Sequence, residues 1–550
     1  MWSKEKQTAL PSFYFHPFLI FSLMIFPSLS EFQSKATQGN LIPVFREILA
    51  DNDTPVSAYE RLRTVLRREK ACDDCTHTFL LESVEGGETA ARYSFLGGGA
   101  HVIYKGRGRQ VDVTLADGTT ERHEDVEPLS IVQAYMARYR PVPEPGLPSF
   151  TGGAVGMLGY DAVAQFDKVP LCKTEGLDWP DLFYILADDL IIFDRARHTI
   201  KLVANAFIPD GADAATIDAA YADACERIGR LERALETEMP RRLQDVHANV
   251  EPLPLRSNFS KPDFINAVET CKEYIRSGDI IQVVLSQRFE VDGADDPLDV
   301  YRALRSINPS PYMFCLEFGE CVAVGSSPEI HVRSEKGKVT IRPIAGTRKR
   351  KANPEEDKAM EVELLADPKE RAEHVMLVDL ARNDIGRVCK WGSVEVDDFM
   401  SVERYSHVMH IVSNVVGELA EDKNAYDLMR ATFPAGTLTG APKIRAMEII
   451  ADLEKNKRVP YGGAIGYFGF DGDGDCCITI RTVFIDGDKS YVQAGAGIVA
   501  DSVPELEFEE TENKARGMLQ ALAIARNYNS ANSAVSTSST TAKTSTGEST

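Results

Sequence analysis

Two pairs of glutamates stand three residues apart: Glu370 with Glu373 in DPKERAEHVMLVDLARNDIGR, and Glu507 with Glu510 in DSVPELEFEETENKAR. Both segments read as helices, and residues three apart on a helix share a face. Each helix could therefore aim two carboxylates at one point. Four converging carboxylates repel unless a hard cation lies between them. Mg²⁺, which takes oxygen ligands and keeps several waters, suits that role. Each pair also has a plainer reading. Asp367 fits an N-cap, Pro368 the first helical position and Glu370 the third, so Glu370 could merely cap its own helix. Five glutamates lie between 505 and 512, so Glu507 and Glu510 could belong to a solvated acidic face. Glu373 has no such outlet. It shares a face with Leu377 on a helix that is apolar nearly all round, and a buried carboxylate needs a partner or a metal.

Other constellations are weaker. GTLTGAPK, ending at Lys443, precedes a helix expected over 444–453. Its amides could hold a carboxylate or phosphate, or it could be a plain turn; the Gly-Lys-Ser/Thr ending of a Walker loop is absent. Gln493 to Gly497 ends a strand with small residues, which admits either a ligand or tight packing. Asp471-Gly-Asp473-Gly-Asp475 lacks the Gly and Glu that a calcium loop needs at its sixth and twelfth positions, and reads as a hairpin turn. His407-x-x-His410 has no third ligand nearby. Cys72-x-x-Cys75 has no second pair and reads as free thiols. The run Arg348 to Lys351 reads as an exposed turn.

The elements that must position these residues follow from pattern. At 550 residues, two or more core-forming units are expected. Strands are predicted over 78–81, 92–96, 101–104, 199–203, 280–289, 313–318, 321–325, 339–344, 464–470, 477–485 and 491–498. Helices are predicted over 215–235, 263–276 and 297–306. Strands in adjacent runs, separated by turns such as Asp486-Gly487, indicate α+β architecture with antiparallel sheets and helices set against them. The Pro- and Arg-containing stretch 239–255 marks a boundary, giving units 35–255 and 256–526. Residues 1–34 read as a signal-like or non-native extension, because an apolar stretch follows Lys4 and Lys6 but is interrupted by His16 and Pro17. Residues 527–550 are Ser/Thr/Ala-rich and read as a disordered tail. The net charge of −22 excludes nucleic acid as the main partner. Ten cysteines in such a chain are no disulfide framework and suit a reducing, cytoplasmic setting.

Taken together, Pro343-Ile344-Ala345-Gly346-Thr347-Arg348, the DPKERAEHVMLVDLARND stretch, GTLTGAPK, GGAIGYF and QAGAGIVADSVPE…ETENKA closely resemble the chorismate-utilising enzymes, and within them the anthranilate synthase large subunits. The resemblance spans residues 37–526. It implies a sandwich of antiparallel sheets with flanking helices, and a Mg²⁺-dependent lyase that turns chorismate and ammonia into anthranilate and pyruvate, the first step of tryptophan biosynthesis. By motif it places Glu373 and Glu510 on the metal, with Glu370 and Glu507 behind them. Arg481 and Tyr461 would hold the enolpyruvyl carboxylate, with amides near Gly495 and Gly497. Gly346, Thr347 and Thr437 would position the ring, and Lys514 would add positive charge. Glu329 would be the general acid for the departing hydroxyl, and His410 would act in the elimination.

Gln282 stands where water-adding relatives carry a Lys base, and Ala345 where aminodeoxychorismate synthases carry a nucleophilic Lys, so both disfavour those activities. No cysteine lies in a Gly-x-Cys-x-Gly turn, so the ammonia is expected from a separate glutamine amidotransferase subunit, in a hetero-tetramer. The resemblance also implies that 35–255 is regulatory and that L-tryptophan inhibits, through Leu81, Glu82, Ser83, Asn308, Pro311, Tyr312 and Met313. No membrane is expected for the mature protein. The rival within the family is aminodeoxychorismate synthase component I. A di-iron helix bundle is disfavoured because neither carboxylate helix supplies Glu-x-x-His. A non-catalytic tryptophan sensor is disfavoured by the full set of candidate catalytic residues.

Overall fold

Cross-strand pairing, which no local pattern displays, determines where everything else sits. The structure is a computed structural model that describes residues 25–69, 77–83, 92–239, 250–405 and 408–541, with side chains through 528. Among the described residues two sheets form, of 13 and 12 strands, and every ladder between their strands is antiparallel. Their inner faces meet in one apolar layer. Phe79, Ile192, Phe314, Leu316 and Phe484 of the first sheet pack there with Val155, Phe183, Ile185 and Ile465 of the second. Helices cover the outer faces. Pro55–Glu69, Ala214–Leu235, Pro297–Ile307 and Pro504–Thr541 lie on the first sheet, while Pro128–Met136, Pro368–Gly386 and Ala425–Thr432 lie on the second. This is the expected α+β sandwich. Strands buried on both faces, such as Gly153–Leu158 and Leu182–Ala187, carry no polar alternation for that reason.

The boundary at 255/256 divides the chain but not the core. His77–Glu82 pairs with Tyr312–Phe318 in the first sheet, and Gly153–Leu158 pairs with Ala464–Gly469 in the second. Each of the three largest apolar clusters draws on both sides of the boundary. The expected extension over 1–34 is also too long. Ile25–Phe26 pairs with Leu41–Leu49, and a helix at Leu29–Lys35, capped by Ser28 and Glu31, buries Phe32 completely. Residues 1–24 lie outside the described residues, as do Cys72, Cys75 and His407. At the other end, the helix that begins at Pro504 runs to Thr541, past the expected start of a disordered tail.

Helix starts follow their local chemistry. The Asp367 carboxylate accepts from the Lys369 and Glu370 amides at 3.0 and 3.3 Å, with Pro368 inside the first turn. One strand expectation fails in an informative way. The run 477–485 is not a single strand: Gly474–Ile478 belongs to the second sheet and Thr482–Asp486 to the first. Between them Arg481 takes a positive φ of 51°. The chain passes from one sheet to the other at that residue. The strand expected over 339–344 also divides, into Lys338–Ile341 and Ile344–Lys349.

Candidate active site

The strand Gln282–Asp292 pairs with Lys489–Ile498 so that Val284 opposes Gly497 and Ser286 opposes Gly495. This brings the small-residue run beside two side chains. A Cβ at Gly497 would lie 2.8 Å from Gln282 Nε2, and one at Gly495 would lie 3.0 Å from the Tyr461 hydroxyl. A side chain at either point would push the Gln282 amide or the Tyr461 hydroxyl aside. Gln282 Nε2 then donates to Glu373 Oε1 at 3.1 Å. From the other side Lys514 Nζ donates to the Gly495 carbonyl at 2.9 Å and pairs with Glu510 at 2.7 Å. The helices carrying the two Glu-x-x-Glu pairs thus meet across one strand end.

Glu370 does not close a capping box. Its amide is taken by Asp367, but its carboxylate accepts from Arg348 Nη1 at 3.0 Å. Arg348 also binds Asp367 and Glu363, so it is a half-buried staple between strand Ile344–Lys349 and two helices, not an exposed turn. Gly346 takes a φ of 66°, and a Cβ there would come within 3.2 Å of Glu370 Oε2. His410 Nδ1 donates to the Gly346 carbonyl at 2.9 Å, with the Thr347 hydroxyl 3.1 Å away. That bond leaves Nε2 as the accepting nitrogen. Burial pushes the His410 ring below its ordinary range; the bond to Gly346 opposes this and the nearby Arg481 charge reinforces it. Burial thus favours the uncharged ring.

The acids show the field they share. Burial raises the Glu373 carboxyl; the Gln282 bond pulls it back, and the charges of Glu370 and Glu510 push it up again. Burial also raises Glu507, against a bond to Ser502 and with a push from Glu510. All four glutamates therefore fall within one cluster. Among the described residues no three acidic, His or Cys side chains stand close enough to close a metal site. Glu370 is held by Arg348 and Glu510 by Lys514. The donors are all carboxylate oxygens, the kind a hard divalent cation takes, with Arg348, Lys369 and Lys514 offsetting their charge in its place.

Two further groups are poised for a ligand. Burial pushes the Glu329 carboxyl up to about 8, with Thr437 and Lys514 drawing it slightly down. The Thr437 hydroxyl nonetheless makes no hydrogen bond of ordinary geometry. Arg481 and Lys514 line an open cleft of about 370 Å³ together with Glu510 and Asn513. The Arg481 guanidinium donates no hydrogen bond to any described residue, and burial lowers its pKa against the pull of Tyr461 and Glu510. Its main chain is fixed: the Ser326 amide donates to the Arg481 carbonyl at 3.1 Å. Ala345 is buried in strand Ile344–Lys349 and offers no nucleophile.

Of the seven residues expected to bind tryptophan, Leu81, Glu82, Tyr312 and Met313 lie on paired strands of the first sheet, where Glu82 opposes Met313, while Ser83, Asn308 and Pro311 lie beyond the strand ends. Glu82 accepts from the Tyr301 hydroxyl and Arg195 Nη2, both at 2.6 Å, and Arg305 Nε lies 3.2 Å away. Arg195 also donates to the Ser83 carbonyl at 2.8 Å. Asn308 Nδ2 donates to Ser326 Oγ at 2.8 Å, and Ser326 Oγ donates back to the Asn308 carbonyl at 2.6 Å. The Tyr312 hydroxyl donates to Asp475 at 2.9 Å. Sequence reasoning missed Ser326 and Arg348. Ser326 gives no signal of its own, whereas Arg348 could have been found as the first cation after the Gly346-Thr347 turn.

A family model described as chorismate binding enzyme matches residues 79–520. The chain belongs to that family of enzymes. Its relatives narrow the class. A protein of Acetivibrio thermocellus described as anthranilate synthase component 1 is 46% identical over 503 residues, covering 91% of this chain and 99% of that one. One of Acinetobacter calcoaceticus with the same description is 47% identical over 516 residues, covering 91% and 99%. Among solved structures, anthranilate synthase component I of Streptococcus pneumoniae TIGR4 superposes with a TM-score of 0.69 at 35% identity, covering 86% of this chain and 99% of that one. The menaquinone-specific isochorismate synthase MenF of Escherichia coli shares the fold alone, with a TM-score of 0.63 at 19% identity over 90% and 98% of the chains.

Proposed function

We propose that this chain is the chorismate-converting subunit of an anthranilate synthase. The observation that carries the reading is a nucleophile side with no base and no nucleophile of its own. Gln282 is a neutral amide spent on Glu373, and Ala345 is a buried methyl. A neutral amide cannot activate water, whereas ammonia needs no activation. Relatives of about half-identical sequence, described as anthranilate synthase component 1, support the same choice.

Glu373 and Glu510 would hold Mg²⁺, with Glu370 and Glu507 behind them; once bound, the ion would neutralise the acidic cluster and the ring carboxylate of chorismate. Arg481, its fork unspent, would grip the enolpyruvyl carboxylate beside Tyr461. Glu329, protonated near neutral pH, would give its proton to the 4-hydroxyl so that it leaves as water. Ammonia adds at C2 and the resulting ammonium gives up a proton to water. Neutral His410 then takes the C2 proton as the enolpyruvyl oxygen departs, and the released enol takes a proton on its methylene carbon to become pyruvate. Ammonia would come from glutamine through a partner amidotransferase subunit in a hetero-tetramer, and tryptophan would inhibit by binding around Glu82, Asn308 and Met313. A cytoplasmic setting accords with this reading; among the described residues no helix is long and apolar enough to cross a membrane.

The test is product fluorescence with chorismate, Mg²⁺ and ammonium. Anthranilate should form with ammonium and cease on chelation. With glutamine it should form only when the partner subunit is added. A product that keeps its pyruvyl ether would instead assign the chain to aminodeoxychorismate synthesis.

A further inference from the structure

Glu329 also lines a second, smaller cavity of about 30 Å³. The cavity lies between helix Pro368–Gly386 and the turn Gly436–Leu438, and it reaches Asp384. Much of its wall is apolar, including Leu377, Leu380 and Ile478. Its polar lining is incomplete at two points: Thr437 Oγ1 and His331 Nδ1 are both buried with no hydrogen-bond partner. His331 Nε2 shares a hydrogen bond with Thr432 Oγ1 at 3.1 Å, and that hydroxyl also reaches the Leu428 carbonyl at 3.0 Å. Nδ1 has no partner. Burial keeps this ring neutral, its pKa pushed down to about 3. A cavity needs roughly 10–15 Å³ and two to four polar partners to hold one water, so this one has room for about two.

Asp384 closes the far end. Lys443 Nζ donates to its two oxygens at 2.9 and 2.8 Å and to the Thr432 carbonyl at 3.0 Å. Burial pushes the Asp384 carboxyl up to about 6; Lys443 and Arg387 draw it down and Asp167 pushes it up. At the Glu329 end the facing cation is Lys514.

We propose that this cavity holds ordered water bound to Thr437 and His331, and that Asp384 returns a proton through it to Glu329 after each turnover. The proton step rests on reading Glu329 as the acid for the departing hydroxyl. Glu329 loses its proton to the C4 oxygen, which leaves as water. A cavity water then gives a proton to the Glu329 carboxylate and takes one from the Asp384 carboxyl. The Asp384 carboxylate, steadied by Lys443, recovers its proton from solvent. Asp384 acts through Glu329 and is a positioning residue, not a catalytic one.

The experiment measures kcat, KM and the solvent deuterium isotope effect for Asp384→Asn and Ala381→Val, and determines a high-resolution crystal structure of the unaltered chain. Ala381 lines the cavity, and the added methyl groups would expel water while removing no polar group. Each variant should lose roughly tenfold in kcat, a fraction of what a general acid contributes. KM for chorismate should hold, and the isotope effect should rise. Asp384→Glu should recover most of the rate. The crystal should show water within hydrogen-bond distance of Thr437 Oγ1 and His331 Nδ1. A dry cavity would overturn the proposal, as would an Ala381→Val variant with unaltered kcat and isotope effect. Water in the cavity of a chain that makes no product from chorismate would overturn the role of Glu329, and the proton step with it.

Discussion

Glu82 and Glu373 are both carboxylates withdrawn from solvent, and their surroundings differ in kind. The Glu82 side chain is fully buried yet answered by Tyr301, Arg195 and Arg305. Its neighbour Glu317 is answered likewise by Arg63, Arg67 and Tyr59. Glu373 has one neutral amide, two like-charged neighbours and only the more distant charge of Lys369, and Arg481 close by makes no ion pair, Glu510 acting on it through space alone. Partial cancellation is costly in a weakly solvated place. A region that completes its own charges is built to persist, whereas one that leaves Glu373 and a guanidinium without an ion pair is shaped for something that arrives.

That contrast can be broken at four points, taken from the largest effect on turnover to the smallest. Glu373→Gln should lower kcat by roughly a thousandfold or more, the several kcal/mol a bound cation supplies. Its thermal midpoint should not fall, because a desolvated acid has been removed. Near-normal turnover would end the case for a metal at this cluster.

Glu329→Gln should cost roughly 10²- to 10³-fold in kcat. In the unaltered chain kcat should decline as pH passes about 8. The same shift has a stability consequence. The folded pKa lies above the unfolded one, so from about 4.5 to about 8 the folded state keeps a proton that the unfolded state releases. Stability should therefore fall as pH rises through that window, and less steeply in the Gln variant. Parallel melting curves for the two proteins would contradict the burial of this carboxyl.

Arg481→Lys replaces a fork with a point charge and should raise KM for chorismate roughly tenfold to a hundredfold, with a smaller change in kcat. An unchanged KM would move the carboxylate grip elsewhere. Glu82→Gln should leave kcat nearly as it was and lower stability by about 3 kcal/mol, since Arg195 and Arg305 lose their charge partner. Chemical denaturation distinguishes the cases: a stable variant with poor turnover would erase the contrast.

What could be read in the sequence was whatever is local. Asp367 and Pro368 announce a helix through capping chemistry confined to four residues. The turns at Asp471–Asp475 and Asp486-Gly487 lie where their residue types indicate, and Gly487 takes a φ of 59°. The unreadable part was long-range. Nothing within 477–485 marks a change of sheet, because Ile478, Thr479, Ile480 and Thr482 all favour strands; the break exists only because two sheets compete for its ends. The division at 255/256 failed for a related reason: composition marks a connection, but not which strands on either side share a ladder. The site residues were named through motif resemblance. Their geometry adds what resemblance could not, namely that Gln282 touches Glu373 and that Arg348 and Lys514 each hold one of the four acids.

The hydrogen bond from the Ser326 amide to the Arg481 carbonyl has a consequence for anyone who alters this protein. Ser326 is tied through its hydroxyl to Asn308, so the residue facing one candidate ligand and the residue facing the other share a single fully buried serine. Tolerance at the two places is therefore common property. A substitution chosen to blunt the proposed tryptophan binding at Asn308 draws on the same positional slack that keeps Arg481 aligned. Under the proposed feedback reading, variants that lose tryptophan binding but keep turnover should arise more readily at Leu81, which opposes Phe314 and Phe95, than at Asn308 or at Met313, which opposes Ser326 itself.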